Sequence, residues 1–168
     1  MLHEPAEQEF ASRGALNAEP SARIEIFRVA APADRARDDG APVLALARDS
    51  VKRTDELAFS YEHKTASPFL LVFGVDEHGH VFWYHPAWTN ASQDPSAVPI
   101  ERDGRRHELK EAISHALDGN LLEIHAVFSE RPLTVRAVEA ILAGRRAPLG
   151  ALAIPGATDT PSSFVVTP

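Results

Sequence analysis

Apolar and polar residues alternate along much of the chain, and the alternation predicts a series of short strands. Arg23 to Val29 reads RIEIFRV, β-branched and alternating, and is expected as the first strand. Val43 to Ala47 predicts a short second one. From Asp55 onward the pattern sharpens: Leu57, Phe59 and Tyr61 fall on one strand face, with Ala58, Ser60 and Glu62 on the other. The run FLLVFGV, residues 69–75, is apolar on both faces, which predicts a central strand covered on both sides. DEHGH at 76–80 supplies turn chemistry, with Gly79 able to take positive φ, and leads into VFWYH at 81–85. Residues 69–85 are therefore expected as a β-hairpin. LLEIHAVF, residues 121–128, predicts a further strand that Pro132 stops.

The period changes once. Val135, Val138, Ile141 and Leu142 form a helical stripe, Thr134 can cap its start and Gly144 can end it, so a helix is expected over about 135–143. HELKEAISHAL, residues 107–117, fits two templates. Leu109, Ala112, Ile113, Ala116 and Leu117 match a helix face, while Leu109, Ile113 and Leu117 also share one strand face with His115. Periodicity alone favours the helix there. Ile100 opens a short edge strand before the RDGRR turn at 102–106. The fold expected is mainly β, an antiparallel β-sandwich of the immunoglobulin-like kind with one C-terminal helix and long loops.

Polar stretches divide the chain. Residues 1–22 read as a partly flexible N-terminal extension, with a short helix around Glu7 to Ser12. Residues 23–146 read as the sandwich domain, interrupted by the AAPADRARDDGAP loop and by the long connection 86–99. Residues 147–168 read as a C-terminal extension with a short terminal strand at 164–166.

Composition narrows the function. In 168 residues, 44% hydrophobic and 24% charged, a chain can bury a core without a metal or disulfide. Seventeen basic against 24 acidic residues leave a net charge of −7, which argues against duplex nucleic acid or an anionic membrane surface as partner. The absence of cysteine removes thiolate nucleophiles, disulfides and zinc-finger sites. No apolar run approaches the roughly 20 residues of a membrane span, and the acidic start MLHEPAEQEFASRG is unlike a secretory signal. The compartment stays open: cytoplasmic if Met1 is the native start, periplasmic or extracytoplasmic if the chain is a piece of a membrane-anchored protein.

Eight histidines raise the question of a metal. His78 and His80 flank Gly79 and are weak candidate ligands, but His85 lies roughly 15 Å further along a strand rising roughly 3.3 Å per residue. No metal and no other cofactor is therefore expected. His115 and His125 lie on or beside apolar segments and are expected to donate to backbone carbonyls. Catalytic signatures are missing: no G-x-S-x-G elbow, no phosphate loop, and acids (Asp38, Asp39, Asp76, Glu77, Asp94, Asp103 and Asp118) confined to turns. No catalytic residue is assigned. The most specific local feature is FWYHPAW at 82–88, four aromatic rings in seven residues. Phe82, Tyr84, His85 and Trp88 are the candidate partner-binding residues, with Tyr84 or Trp88 expected to be partly exposed beside the 86–99 loop.

PFLLVFGVDEHGHVFWYHPAWTN, followed by AVPI and LLEIHAVFSERPLTV, resembles a bacterial domain family of unknown function. Its hallmarks are a hairpin with a V-D-x-x-G turn, an aromatic strand ending in proline, a short I-P strand and an S-x-x-P-L step before a helix. Here those are Leu70 to Val75, Asp76 to Gly79, Val81 to Pro86, Pro99 to Ile100 and Ser129 to Leu133. The resemblance covers about residues 23–143. Members are joined to caspase-like peptidases, protein kinases or anti-sigma-factor-like membrane proteins, and this version looks most like the extracytoplasmic part of the myxobacterial anti-sigma type. The resemblance implies an extended conformation at 107–117 and carries no catalytic residues. It implies a non-enzymatic regulatory or sensor domain that binds a protein partner or ligand. The alternatives are a small-molecule or metal-binding module using surface histidines and, further off, a hydrolase.

Overall fold

The structure, a computed structural model, describes residues 21–29, 43–88, 90 and 92–168. The short helix expected near Glu7 and the whole Pro- and Asp-rich loop, residues 30–42, lie outside the described residues. Among those described, the chain is mainly β. Strand β1 is Ala22–Val29, β2 Leu44–Leu46, β3 Ser50–Lys52, β4 Glu56–His63, β5 Phe69–Asp76 and β6 Val81–His85. Then follow β7 Val98–Pro99, β8 Arg106–Glu108, β9 Ile113–Ser114, β10 Leu121–Ser129, helix α1 Val135–Leu142 and β11 Ala157–Thr167.

The strands form two sheets. One runs β2-β1-β4-β8, with β9 also on β4; the other runs β3-β11-β10-β5-β6, with β7 also on β5. Among the described residues, pairing is antiparallel except between β3 and β11. Ile26, Leu57 and Phe59 of the first sheet pack against Leu70, Val72 and Ile124 of the second. The other face of the second sheet is covered as well. There Leu71, Phe73 and Val127 pack beneath Val135, Val138 and Leu142 of α1. The central strand is thus buried on both faces, as its unbroken apolar run requires. Each buried Leu, Val or Phe contributes about 1.5–3 kcal/mol relative to exposure, so the two cores together hold the three layers.

Local chemistry sets the ends of α1. The Thr134 side chain accepts the Ala137 N–H at 3.2 Å, and Gly144, at φ 74°, turns the chain out of the helix. No helix among the described residues is long and apolar enough to cross a membrane.

Residues 107–117 take the extended course that the resemblance implies, not the helix that periodicity alone favours, and supply strands β8 and β9 to the free edge of β4. Leu109 N–H bonds Phe59 O at 2.9 Å and Ile113 pairs with Leu57. The two templates share Leu109, Ile113 and Leu117, but Ala116, which a helix would bury, is exposed. An eight-residue strand with one open edge leaves backbone groups wanting partners, and this segment supplies them.

The terminal strand is eleven residues long, 157–167, where 164–166 was expected. Its polar half, ATDTPSS, pairs residue for residue with β10, so ladder hydrogen bonds outweigh its poor strand propensity. Pro161 is tolerated because β3 covers only Val165 to Thr167, leaving the rest of β11 as an edge. Residues 147–168 are accordingly part of the domain and not an extension to it. Leu152 and Ile154 are buried over the α1 face of the second sheet, and Ala147 is buried as well.

Candidate functional site

The hairpin that carries the aromatic cluster ends where the two sheets part. β5 pairs with β10 along one edge; its other edge is shared, with β6 on Val72 to Val75 and β7 on Phe69 and Leu70. A β-bulge between Val72 and Phe73 marks the change, and the chain leaves β6 through the cis His85–Pro86 peptide. Opposite, between β8 and β9, residues 110–112 lie outside the strand pairing with β4.

A cleft of about 590 Å³ lies between these two features. One wall is Pro86, Ala87, Val98, Pro99 and Ile100; the other is Tyr61 and the segment 108–111. Tyr61 comes from β4, stacks on His107 with ring centroids 5.4 Å apart, and accepts the Glu101 N–H on its hydroxyl at 3.1 Å. That bond ties the two walls together. Burial raises the Tyr61 pKa, partly opposed by the same hydrogen bond, so the phenol stays protonated.

His85 lines the cleft and is half-buried. Its Nε2 is sealed from solvent with no hydrogen-bond partner. Desolvation pushes its pKa down to about 4, so the ring is neutral at ordinary pH. At the rim stand Glu101, Glu108 and Glu111, all exposed, beside Lys110. Among the described residues none of these four enters an ion pair.

The other candidate residues are divided by the sheet. Phe82 and Tyr84 face the first sheet, Tyr84 only 2% exposed and tilted against Phe59 at 5.2 Å. Burial raises the Tyr84 pKa beyond its usual range. Trp83 and Trp88 turn to the α1 side, where Trp83 Nε1 donates to Glu139 at 3.1 Å and Trp88 is half-buried. Four rings close in sequence are therefore not one patch. Tyr84 is a core residue, while Phe82 and Trp88, on opposite faces of the sheet, each keep some exposure.

The histidines at the hairpin tip have structural partners. Buried Asp76 accepts the N–H groups of His78 and His80 at 2.9 and 2.8 Å on Oδ1, and meets His80 Nδ1 at 2.9 Å on Oδ2. Glu77 accepts the Asn120 N–H at 2.6 Å and the Leu121 N–H at 3.1 Å, and these bonds hold its carboxyl below the usual range. These acids organise turns. Among the described residues, no group of three His, Asp or Glu side chains could hold a metal ion.

His115 donates to a backbone carbonyl as expected, Trp83 O at 2.8 Å, and so caps part of the open edge of β6. His125 does not. It is fully buried, stacked on Phe73 at 5.2 Å, and pairs through Nδ1 with Asp159 at 2.8 Å. Asp159 also accepts the Leu152 N–H at 2.8 Å, and Glu123, two residues before His125 and on the same face of β10, accepts the Leu149 and Gly150 N–H groups. A strap over the sheet is thus tied to two buried carboxylates. Glu123 and His125 were legible as the polar alternates of β10; Asp159 was not, because nothing in ATDTPSS predicts a buried strand. No serine hydroxyl bonds any of the His–Asp pairs among the described residues, which leaves a Ser-His-Asp arrangement without support. Comparison with protein-family models, curated proteins and solved structures gives no match for this chain.

Proposed function

We propose that this chain is a non-enzymatic regulatory or sensor domain that binds its partner or ligand in the cleft between His85–Pro86 and residues 108–111. The observation that carries this reading is the cleft itself. Its volume lies within the roughly 300–1,000 Å³ typical of ligand sites, and apolar walls with a few polar groups are what such sites present. It is also built from the hairpin end and the Pro99–Ile100 step, segments on which the resemblance to the signalling-associated bacterial family rests. The immunoglobulin-like reading is kept with it. The order β11-β10-β5-β6 corresponds to strands G, F, C and C′ of that fold, and β1-β4-β8 to A, B and E.

The test plugs the cleft. Ala87 is exposed on its wall, so Ala87→Trp fills the space without disturbing the core. The ¹⁵N-labelled chain is screened by NMR against a mixed peptide library and a metabolite set. Amide shifts at Ala87, Ile100 and Leu109 that vanish in the variant support the reading; an absence of shifts there with every probe overturns it. Turnover of a probe would overturn the non-enzymatic part.

A further inference from the structure

The cleft carries its own statement about charge. Pro86, Ala87, Val98, Pro99, Ile100 and Leu109 make an apolar surface, and three exposed carboxylates, Glu101, Glu108 and Glu111, surround it with Lys110 as the one cation. None of these charges is balanced by an ion pair among the described residues. Two other depressions have no excess of acid: Glu130 is offset by Arg131 in one, and Glu25 by Arg23 and Arg48 in the other. The whole chain, at −7, reinforces an attraction for cations.

We infer that the occupant of this cleft is a basic, partly apolar peptide segment of another protein, its arginine or lysine side chains reaching Glu101, Glu108 and Glu111 while its apolar residues lie on the proline-lined wall. The inference rests on the reading of the cleft as a binding site. A peptide fits better than a bare cation because the carboxylates stand at the rim and the floor between them is apolar, so charge alone would leave that floor uncovered. The wall facing the peptide is rigid: Ile100 N–H bonds Pro68 O at 2.9 Å and Glu101 N–H is held by Tyr61. A preordered wall lowers the ordering cost of binding an extended chain. The neutral state of His85 at ordinary pH leaves the cleft without a repelling charge at its inner end.

Three probes test this: acetyl-Val-Arg-Leu-Arg-Val-amide, its counterpart of equal length with glutamine for both arginines, and spermidine as a cation without apolar side chains. Each is titrated into the ¹⁵N-labelled full chain, reading the Glu101, Leu109, Lys110 and Glu111 amides. The arginine peptide is expected to bind about tenfold more tightly than the glutamine peptide, as a small sum over three exposed carboxylates, with the advantage shrinking at high salt. In the Glu101→Gln, Glu108→Gln, Glu111→Gln variant that advantage should disappear. All three residues are exposed, and an unchanged thermal midpoint verifies the fold. Equal binding of the two peptides in the cleft would overturn the inference while leaving the binding site standing. Spermidine binding as tightly as the arginine peptide would overturn the peptide as occupant. Absence of cleft shifts with all three probes would overturn the inference, and the reading of the site would fall with it only if the peptide library and metabolite set also leave those amides unmoved.

Discussion

His85 should make this protein lose stability as pH falls through the histidine range. An ordinary imidazole titrates near 6.5, whereas desolvation holds His85 near 4 in the folded chain. Between those values the unfolded chain binds a proton that the folded chain refuses. The contribution is therefore fully present above pH 6.5 and is lost progressively as the pH falls toward about 4. A gap of about 2.5 units at about 1.4 kcal/mol each sets a ceiling of about 3.5 kcal/mol, and partial exposure of the ring brings the expected effect nearer about 2 kcal/mol. The perturbation is His85→Gln, which keeps a polar side chain and removes the titration. Urea unfolding of both proteins at pH 8, 7, 6, 5 and 4 gives the stability difference at each pH. His63, whose pKa burial also lowers, is present in both and cancels in the difference. The wild-type advantage should shrink as pH drops and level off below the folded pKa. A difference flat across the series, or a His85 ring-proton titration midpoint near 6.5, would refute the reasoning.

Three further outcomes follow from the packing. Glu123→Ala strips the Leu149 and Gly150 N–H groups of their buried acceptor and should cost about 2–3 kcal/mol by urea denaturation. Hydrogen exchange should quicken at those two amides and not at Glu130, whose N–H bonds Gly156 O. Gly74→Ala would set a methyl 2.7 Å from Leu122 Cδ1 and 3.3 Å from Tyr84 Cε2, between side chains with no room to move. A loss of about 1–3 kcal/mol in stability is expected, and a neutral result would show that Tyr84 is not packed as described. Thr134→Ala removes the cap of α1 and should lower stability by about 1 kcal/mol, seen as a small drop in thermal midpoint with the fold retained.

Much of the architecture was legible because local pattern and tertiary environment agree. The double-sided apolar run of β5 could only be a covered central strand, and a layer does lie on each side of it. The hairpin turn was legible because Asp76 and Gly79 do local work, one accepting backbone N–H groups and the other taking φ 87°. At the site, His85 was found for its neighbours more than for itself, and the cleft opposite it was invisible. Glu101, Glu108 and Glu111 read as ordinary surface charges, since only folding brings the 108–111 segment across from Pro86.

The sequence by itself determined the class of element at nearly every strongly patterned segment: strands where the period is two, a helix where Val135, Val138 and Leu142 repeat with caps at either end. These outcomes depend on bonds and side-chain spacings within a few residues, which the order of residues specifies directly. Only the tertiary structure decided the rest. Leu109, Ile113 and Leu117 satisfy either period, and the open edge of β4 chose the strand. ATDTPSS has no strand character of its own, and seven pairings with β10 imposed one. His125 met Asp159 across 34 positions of chain, a pairing that no local spacing encodes. In each case the deciding energy is a long-range ladder, buried side-chain hydrogen bond or burial that exists once the sheets have assembled, and therefore leaves no periodic trace in the chain.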